Sequence, residues 1–451
     1  MNPGRAKDVR PNILWLIAED LCPDLACYGE KLAKTPNLDR LASEGALFTN
    51  AFITSPVCSP ARSAFATGMY QTSIGAHHHR SHRRDGYRLP QGVRLITDYL
   101  REAGYFTANV ITAAPGVEGR GKTDFNFTVD RPFDGTDWNE RKAGQPFYAQ
   151  VNFRETHRVF EKVKENAVDP AIVKLPPYYP DHEIAREDWA RYLDAAGILD
   201  KKVGAVLKRL EDEGLAEDTV VIFFGDNGRP HVRGKQFLYE GGIHIPLIIR
   251  WPGKIEPGTV DDGLVSAIDI TATTLKIAGI DPPANMEGQV FLGPQAQKRN
   301  YIVAARDRCD ETVDRIRCIR TEGFKYIRNF YPDRPYTQLY RYKETYPVLR
   351  LMRRLHKAGK LTPEQALFMA PKRPPEELYD LQADPHELHN LASSSSHQEL
   401  LQKMRKTLDD WIKETADMGE EPEDPAVIAF YEEKMKQSFD EKISRYYQGE
   451  R

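Results

Sequence analysis

The chain alternates two kinds of apolar pattern. Residues 12–18 and 219–224 are unbroken apolar runs, as expected of strands buried on both faces. Residues 105–110, 146–153 and 245–251 read as further strands, the last despite Pro246, and residues 47–53 form another apolar segment. Helical periodicity fills the intervals. Thr35-Pro36 opens a helix that buries Leu38 and Leu41 and closes at Gly45, and residues 95–103, 189–213 and 269–278 follow the same rule. This alternation predicts an α/β fold, a large and mostly parallel sheet flanked by helices, over residues 1–300.

The pattern changes after about Asn300. Residues 316–319 and 324–328 flank Thr321-Glu322-Gly323, a hairpin signal. A basic, loop-rich stretch covers 332–375. Residues 397–414 then place Leu400, Leu401, Met404, Leu408, Trp411 and Ile412 on one helical face, with an N-cap expected from Ser393 to Ser396. Residues 301–451 therefore read as a smaller C-terminal α+β domain with an antiparallel sheet. Its charged tail from Gly419 reads as a solvated helix or a wrapping arm.

Composition narrows the function. In 451 residues, 40% are hydrophobic and the formal net charge is −3, which supports a sizeable core and argues against a nucleic-acid scaffold. A local basic cluster, Arg80 to Arg84, can still attract an anion. The five cysteines are Cys22, Cys27, Cys58, Cys309 and Cys318. An odd, low count does not indicate a disulfide framework, and free buried thiols are expected. No 18-residue apolar stretch occurs, so no transmembrane helix or membrane partner is expected. Residues 1–10 are polar and contain no apolar h-region. The chain as given therefore reads as cytoplasmic, or as periplasmic or secreted if a signal has been removed.

Candidate chemistry clusters where strands end. The first apolar strand runs into Glu19-Asp20, and the 219–224 strand into Asp226-Asn227-Gly228. Ligands in open α/β sheets bind beyond the carboxyl ends of strands. If the two strands are neighbours, Glu19, Asp20, Asp226 and Asn227 converge as an all-oxygen set for a hard divalent cation, calcium before magnesium. Single Asp and Asn residues after strands are also ordinary turn formers; two such pairs favour the metal. Cys58 lies in Cys58-Ser59-Pro60-Ala61-Arg62, between an apolar segment and a helical stretch, residues 60–70. A helix N-terminus there is expected to depress its thiol pKa, and Arg62 in the first turn can orient an anion. Lys122, His157 and Lys235 each follow a strand or sit in the loop beyond it. His77, His78 and His79, with His82, form either a soft-metal tract or, as preferred here, a rim of donors for an anionic sugar.

These residues carry a resemblance. The Cys58 motif, Glu19-Asp20, residues 35–42, Asp226-Asn227-Gly228, residues 239–243, Trp251-Pro252-Gly253 and residues 377–381 together resemble the formylglycine-dependent type I sulfatases of the alkaline-phosphatase superfamily. Within that family the chain looks most like N-sulfoglucosamine sulfohydrolases and bacterial glycan sulfatases. The resemblance implies that a maturation enzyme, formylglycine-generating or anaerobic, oxidises Cys58 to formylglycine, whose hydrate attacks the sulfate. It implies that Glu19, Asp20, Asp226 and Asn227 hold calcium, that Arg62 stabilises the hydrate, and that Lys122 and Lys235 clamp sulfate oxygens. His157 would protonate the leaving atom. The substrate would be a sulfate ester or sulfamate on a saccharide. A phosphonate or phosphate monoester hydrolase and an inactive glycan-binding homologue are the competing readings. Two positions depart from the family pattern. Glu19 replaces the usual Asp, and Asp124 stands where a His two residues after the lysine is usual, so Asp124 is a candidate replacement base.

Overall fold

The computed structural model describes residues 10–449, so the N-terminal reading above falls, but for Arg10, outside the described residues. In chain order the strands are β1 (Asn12–Ala18), β2 (Ala46–Phe52), β3 (Phe106–Val110), β4 (Thr112–Ala114), β5 (Val117–Glu118), β6 (Phe147–Phe153), β7 (Thr219–Gly225), β8 (His244–Arg250), β9 (Thr259–Ser266), β10 (Ile302–Arg306), β11 (Ile316–Arg320), β12 (Phe324–Asn329) and β13 (Glu376–Asp380). Seven of them form the main sheet in the order β3-β6-β1-β7-β8-β2-β9. Only β8 runs against the others. The sheet is thus mostly parallel, as the continuous apolar runs predict. Strand β1 sits at its middle, paired in parallel with β6 on one side and β7 on the other.

A knot of aromatic rings ties this sheet to the helix Cys58–Thr67. Trp15 of β1 meets Phe65, Tyr148 and Phe224 edge-on, with ring centroids 6.1, 5.3 and 5.3 Å away. Its indole N–H donates to Thr274 Oγ1 at 3.1 Å, which satisfies the one polar group the burial creates. Phe65 and Phe224 also pack edge-to-face at 5.3 Å. Hydrophobic burial here does two things: it stabilises the core, and it fixes the helix that starts at Cys58 over the ends of β1 and β7.

The second sheet is antiparallel in the order β10-β11-β12-β13 and includes the expected hairpin. The helix Gln398–Glu414 covers it with Leu401, Met404, Leu408 and Trp411, in one apolar cluster with Ala64 and Tyr70. The C-terminal sheet therefore packs against the same helix that carries Cys58.

One expectation is refined and another changes. The basic stretch 332–375 is loop-rich, as expected, but it also holds helices Arg341–Glu344, Pro347–Lys357 and Pro363–Ala366. Val348, Leu349, Leu351 and Met352 point into the core, an apolar face masked by the surrounding charge. The serine run does not cap the following helix. That helix begins after His397 without a side-chain cap, and the Ser394 and Ser396 hydroxyls instead contact His397 Nδ1 at 2.9 and 3.0 Å. The charged tail is a helix, Pro425–Gly449, and it wraps. Tyr431 donates to the carbonyl of Arg80, Glu423 pairs with Arg308, and Asp440 pairs with Arg341. Among the described residues no helix is long and apolar enough to cross a membrane.

Phe224→Ala removes the ring that packs edge-on against both Trp15 and Phe65. It should lower stability by about 3–5 kcal/mol, read as a drop in urea midpoint at constant m. A change within ordinary surface values would show that the knot does not carry the fold.

Candidate active site

The register Ala18↔Gly225 brings the ends of β1 and β7 level, so the residues that follow them share one buried space. Asp226 N–H donates to Ala18 O at 2.9 Å, and Asp20 N–H donates to the Asp226 carboxylate at 3.0 Å. Asp20 turns with φ of +55°, a left-handed conformation that aspartate tolerates better than most residues. Gly228 lets the chain leave the site: a Cβ there would lie 2.4 Å from the carbonyl of Gly241. Glu19, Asp20, Asp226 and Asn227 are all at most 2% exposed.

Cys58 is the first residue of its helix, and Val57 before it provides no side-chain cap. Cys58 Sγ lies 3.1 Å from Lys235 Nζ and 3.9 Å from Asp20 Oδ1. Lys235 Nζ also donates to Asp20 Oδ1 at 2.7 Å. One turn along, Arg62 donates through Nε to Asp226 Oδ2 at 2.9 Å and through Nη1 to Asn152 Oδ1 at 2.6 Å. Lys122 Nζ donates to Glu19 Oε2 at 2.8 Å. His157 Nε2 faces Asp20 Oδ2 at 3.9 Å, while Nδ1 contacts the carbonyl of Arg158 at 2.7 Å. A carbonyl only accepts, so Nδ1 carries a proton and Nε2 is the nitrogen left to exchange one.

Burial opposes charge on Glu19, but Lys122, Arg62 and His157 outweigh it and hold that carboxyl below its ordinary range. Asp20 is likewise buried and likewise held low, by Lys235 and His157. Asp226 is lifted, because burial together with its neighbours Glu19 and Asp20 exceeds the pull of Arg62 and Lys122. The thiol departs from expectation. Burial pushes Cys58 up to about 12, Asp226 and Asp20 add to the rise, and Lys122 and Lys235 only partly oppose it. The helix N-terminus does not make Cys58 a thiolate.

Three oxygens aimed into this space, Glu19 Oε1, Asp20 Oδ2 and Asn227 Oδ1, are buried and have no hydrogen-bond partner. Donor atoms of Asp20, Cys58 and Asp226 lie within 4.8 Å of one another. Buried unpaired carboxylate oxygens are costly, and a hard divalent cation takes this kind of all-oxygen donor set. The residues fit such an ion.

The Sulfatase family model matches residues 11–135 and 133–280. The chain belongs to the sulfatase family. A second model, N-sulphoglucosamine sulphohydrolase, C-terminal, matches residues 231–348. An ulvan-active sulfatase of Formosa agariphila is 36% identical over 92% of this chain and 76% of its own length. The human N-sulphoglucosamine sulphohydrolase is 28% identical, over 90% of each chain. A solved structure titled as a complex with its substrate D-glucosamine-2-N,6-O-disulfate shares the fold, with a TM-score of 0.65 at 17% identity, covering 91% of this chain and 99% of that one. Membership makes the protein a sulfuric ester hydrolase.

In this sulfatase the residues singled out from sequence converge, apart from the histidine run. His77 and His79 are 7% and 3% exposed, so the run is not an exposed rim. Burial, reinforced by Arg317, lowers His77 to about 3, and His78 Nδ1 accepts the backbone N–H of Arg308 at 3.2 Å. The exposed cations of this loop instead include Arg83 and Arg84, and the Arg80 side chain is 41% accessible. The loop is tied to the helix that begins with Cys58, because Arg80 N–H donates to Ser59 Oγ at 2.8 Å. Asn152 escaped the sequence reading. Its signal was a second polar residue, after Gln150, near the carboxyl end of the fully buried strand β6. Tyr342, whose ring centroid is 6.0 Å from that of His157, lay in the stretch read as loop.

Asp124 pairs with Arg83 and lies 3.6 Å from Lys122 Nζ. Burial would raise its pKa, but Lys122, Arg83 and Arg80 hold it well below the carboxylate range. So strongly stabilised an anion is a weak base, and its geometry suits positioning Lys122. Asp124→Asn should lower kcat/KM by about tenfold, the equivalent of one charge-assisted hydrogen bond, and leave the shape of the pH–rate profile unchanged. Loss of the acidic limb in the variant would instead assign Asp124 the proton.

Proposed function

We propose that this sulfatase hydrolyses a sulfate ester or sulfamate on a saccharide, using Cys58 after its oxidation to formylglycine and a calcium ion held by Glu19, Asp20, Asp226 and Asn227. The observation that carries the reading is Cys58 Sγ at 3.1 Å from Lys235 and 3.9 Å from Asp20, beside three buried oxygens without partners. The high thiol pKa supports it as well, since an unmodified Cys58 would be a poor nucleophile at neutral pH. A saccharide substrate is supported by the names of the relatives, which act on ulvan and N-sulphoglucosamine, and by the accessible Arg80 and Arg83 beside the site.

When present, the formylglycine supplies an oxygen nucleophile at the position of Sγ, and the calcium neutralises anionic oxygens there. The side chains do the rest. Lys235 sits where it can donate to a sulfate oxygen without leaving Asp20. Lys122, anchored on Glu19, meets the same anion from the other side, and charge that develops on the oxygens in transfer is stabilised by both. Arg62 holds Asp226 and Asn152 in place beneath them. His157, its Nδ1 fixed on Arg158, offers Nε2 to the leaving atom. Burial lowers the His157 pKa, with Asp20 opposing and Lys235 adding to the shift. Its acid form therefore persists only below the usual imidazole range, and its contribution as an acid declines as pH rises through that lowered value.

Protein made with a maturation enzyme should yield a tryptic peptide 41–62 with the mass of the formylglycine form, and should release sulfate from sulfated saccharides and prefer an aryl sulfate to the matching aryl phosphate. An unconverted Cys58 alongside a converted control sulfatase, or a preference for phosphate, contradicts the proposal. For a poor leaving group, His157→Asn should cut turnover by about 10²–10⁴-fold and flatten the basic limb. For a nitrophenyl sulfate, which needs no proton, the loss should be much smaller. Equal losses on both would remove His157 from the acid role.

A further inference from the structure

We propose that His79, Cys309 and Asp310 form a second metal site, one that binds zinc and fastens the loop beside the catalytic helix to the C-terminal sheet. His79 lies on the loop that follows the Cys58–Thr67 helix. Cys309 and Asp310 occupy a tight turn between β10 and β11, closed by reciprocal Cys309–Thr312 backbone hydrogen bonds of 2.9 Å, with Asp310 at φ of +46°. The two segments are already joined by His79 N–H donating to Arg308 O at 2.9 Å.

The donor atoms converge on one point. His79 Nδ1 is 3.2 Å from Asp310 Oδ1 and 3.7 Å from Cys309 Sγ, and all three donors lie within 4.8 Å of one another. Tetrahedral zinc with ordinary Zn–N, Zn–O and Zn–S bonds separates its ligand atoms by about 3.3–3.6 Å, so the two separations from His79 Nδ1 lie within about 0.1 Å of that range and small side-chain shifts would complete the set. Asp310 Oδ1 is buried, faces His79 Nδ1 as an ion pair at 3.2 Å and makes no well-formed hydrogen bond. An ion taken up between the three donors would replace that contact. The residues are 3%, 1% and 2% exposed, so the donors are shielded from bulk solvent. Tyr340 O–H donates to Asp310 Oδ2 at 2.8 Å and so orients the carboxylate from behind.

The donor types choose the ion. A thiolate and an imidazole are soft or borderline ligands that favour zinc, whereas calcium and magnesium take oxygen. The site therefore differs in chemistry from the set at the ends of β1 and β7. Thiolate and carboxylate balance a dication, and the fourth position is left for water. Arg80 Nη1, 3.6 Å from Asp310 Oδ1, is the cation that must yield; its side chain is 41% exposed and has room to do so. Binding displaces the thiol proton to solvent, so affinity falls with falling pH.

The test uses untagged full-length protein, supplemented with zinc, dialysed and analysed for metal, with cobalt as a spectroscopic substitute. The wild type should hold about one equivalent in a tetrahedral site, show a cobalt–thiolate charge-transfer band, and lose melting temperature on chelation. Cys309→Ser and His79→Gln should each lose the metal and the band. Cys58→Ser, which removes the thiol at the strand ends, should keep both. The proposal fails if the wild type holds no zinc, if Cys309→Ser retains it, or if Cys58→Ser alone abolishes it. Should Cys309→Ser not fold, His79→Gln and the cobalt band of Cys58→Ser decide the question.

Discussion

Three carboxylates share one buried space at the ends of β1 and β7, and the rest of the structure answers that constraint. Glu19, Asp20 and Asp226 repel one another where water cannot screen them. Lys122, Lys235 and Arg62 each bond to one of them, so every carboxylate has a cation partner, while Glu19 and Asp20 each keep one buried oxygen without a partner. Under the proposed function the same lysines that quiet the carboxylates would also meet the incoming anion.

That arrangement needs precise support, and the hydrophobic core provides it. Trp15 lies on the strand that delivers Glu19 and Asp20, Phe224 on the strand that delivers Asp226, and Phe65 on the helix that begins with Cys58. The three rings pack on one another edge to face. Relative movement of any of these elements would break aromatic packing before it displaced a ligand. The C-terminal sheet adds a second brace through the cluster of Ala64 and Tyr70 with the Gln398–Glu414 helix, and the tail helix closes over Arg80 and Arg308.

The parallel sheet and the cluster of polar residues at its strand ends were legible because both are written in local pattern. A strand buried on two faces must be apolar throughout, and polar residues at its carboxyl end stand out against that run. The Cys58 segment was legible through a fixed spacing. The electrostatic outcome was not. A helix N-terminus argues for a low thiol pKa, but the two aspartates and the burial that reverse it come from residues 38 and 168 positions away. The helices within 332–375 were hidden because charged residues outnumber the buried Val348, Leu349, Leu351 and Met352. The burial of His77 and His79 was hidden too, since their neighbours Arg317, Asp310 and Cys309 arrive from the C-terminal sheet. Asp124 illustrates a subtler limit: its position in the motif suggested a base, and its three cationic neighbours make it a fixed anion.

Calcium titration of chelator-treated protein by calorimetry, comparing the wild type with Asp226→Asn, tests most directly whether the strand ends are built around a cation. The variant keeps the shape and removes one charge. The account predicts saturable binding in the wild type and at least about tenfold weaker binding in the variant, within the range seen for perturbed metal sites. Equal affinity in the two proteins, or no binding in either, would mean that the buried carboxylates serve the cations of the site alone and that the metal-centred account is wrong.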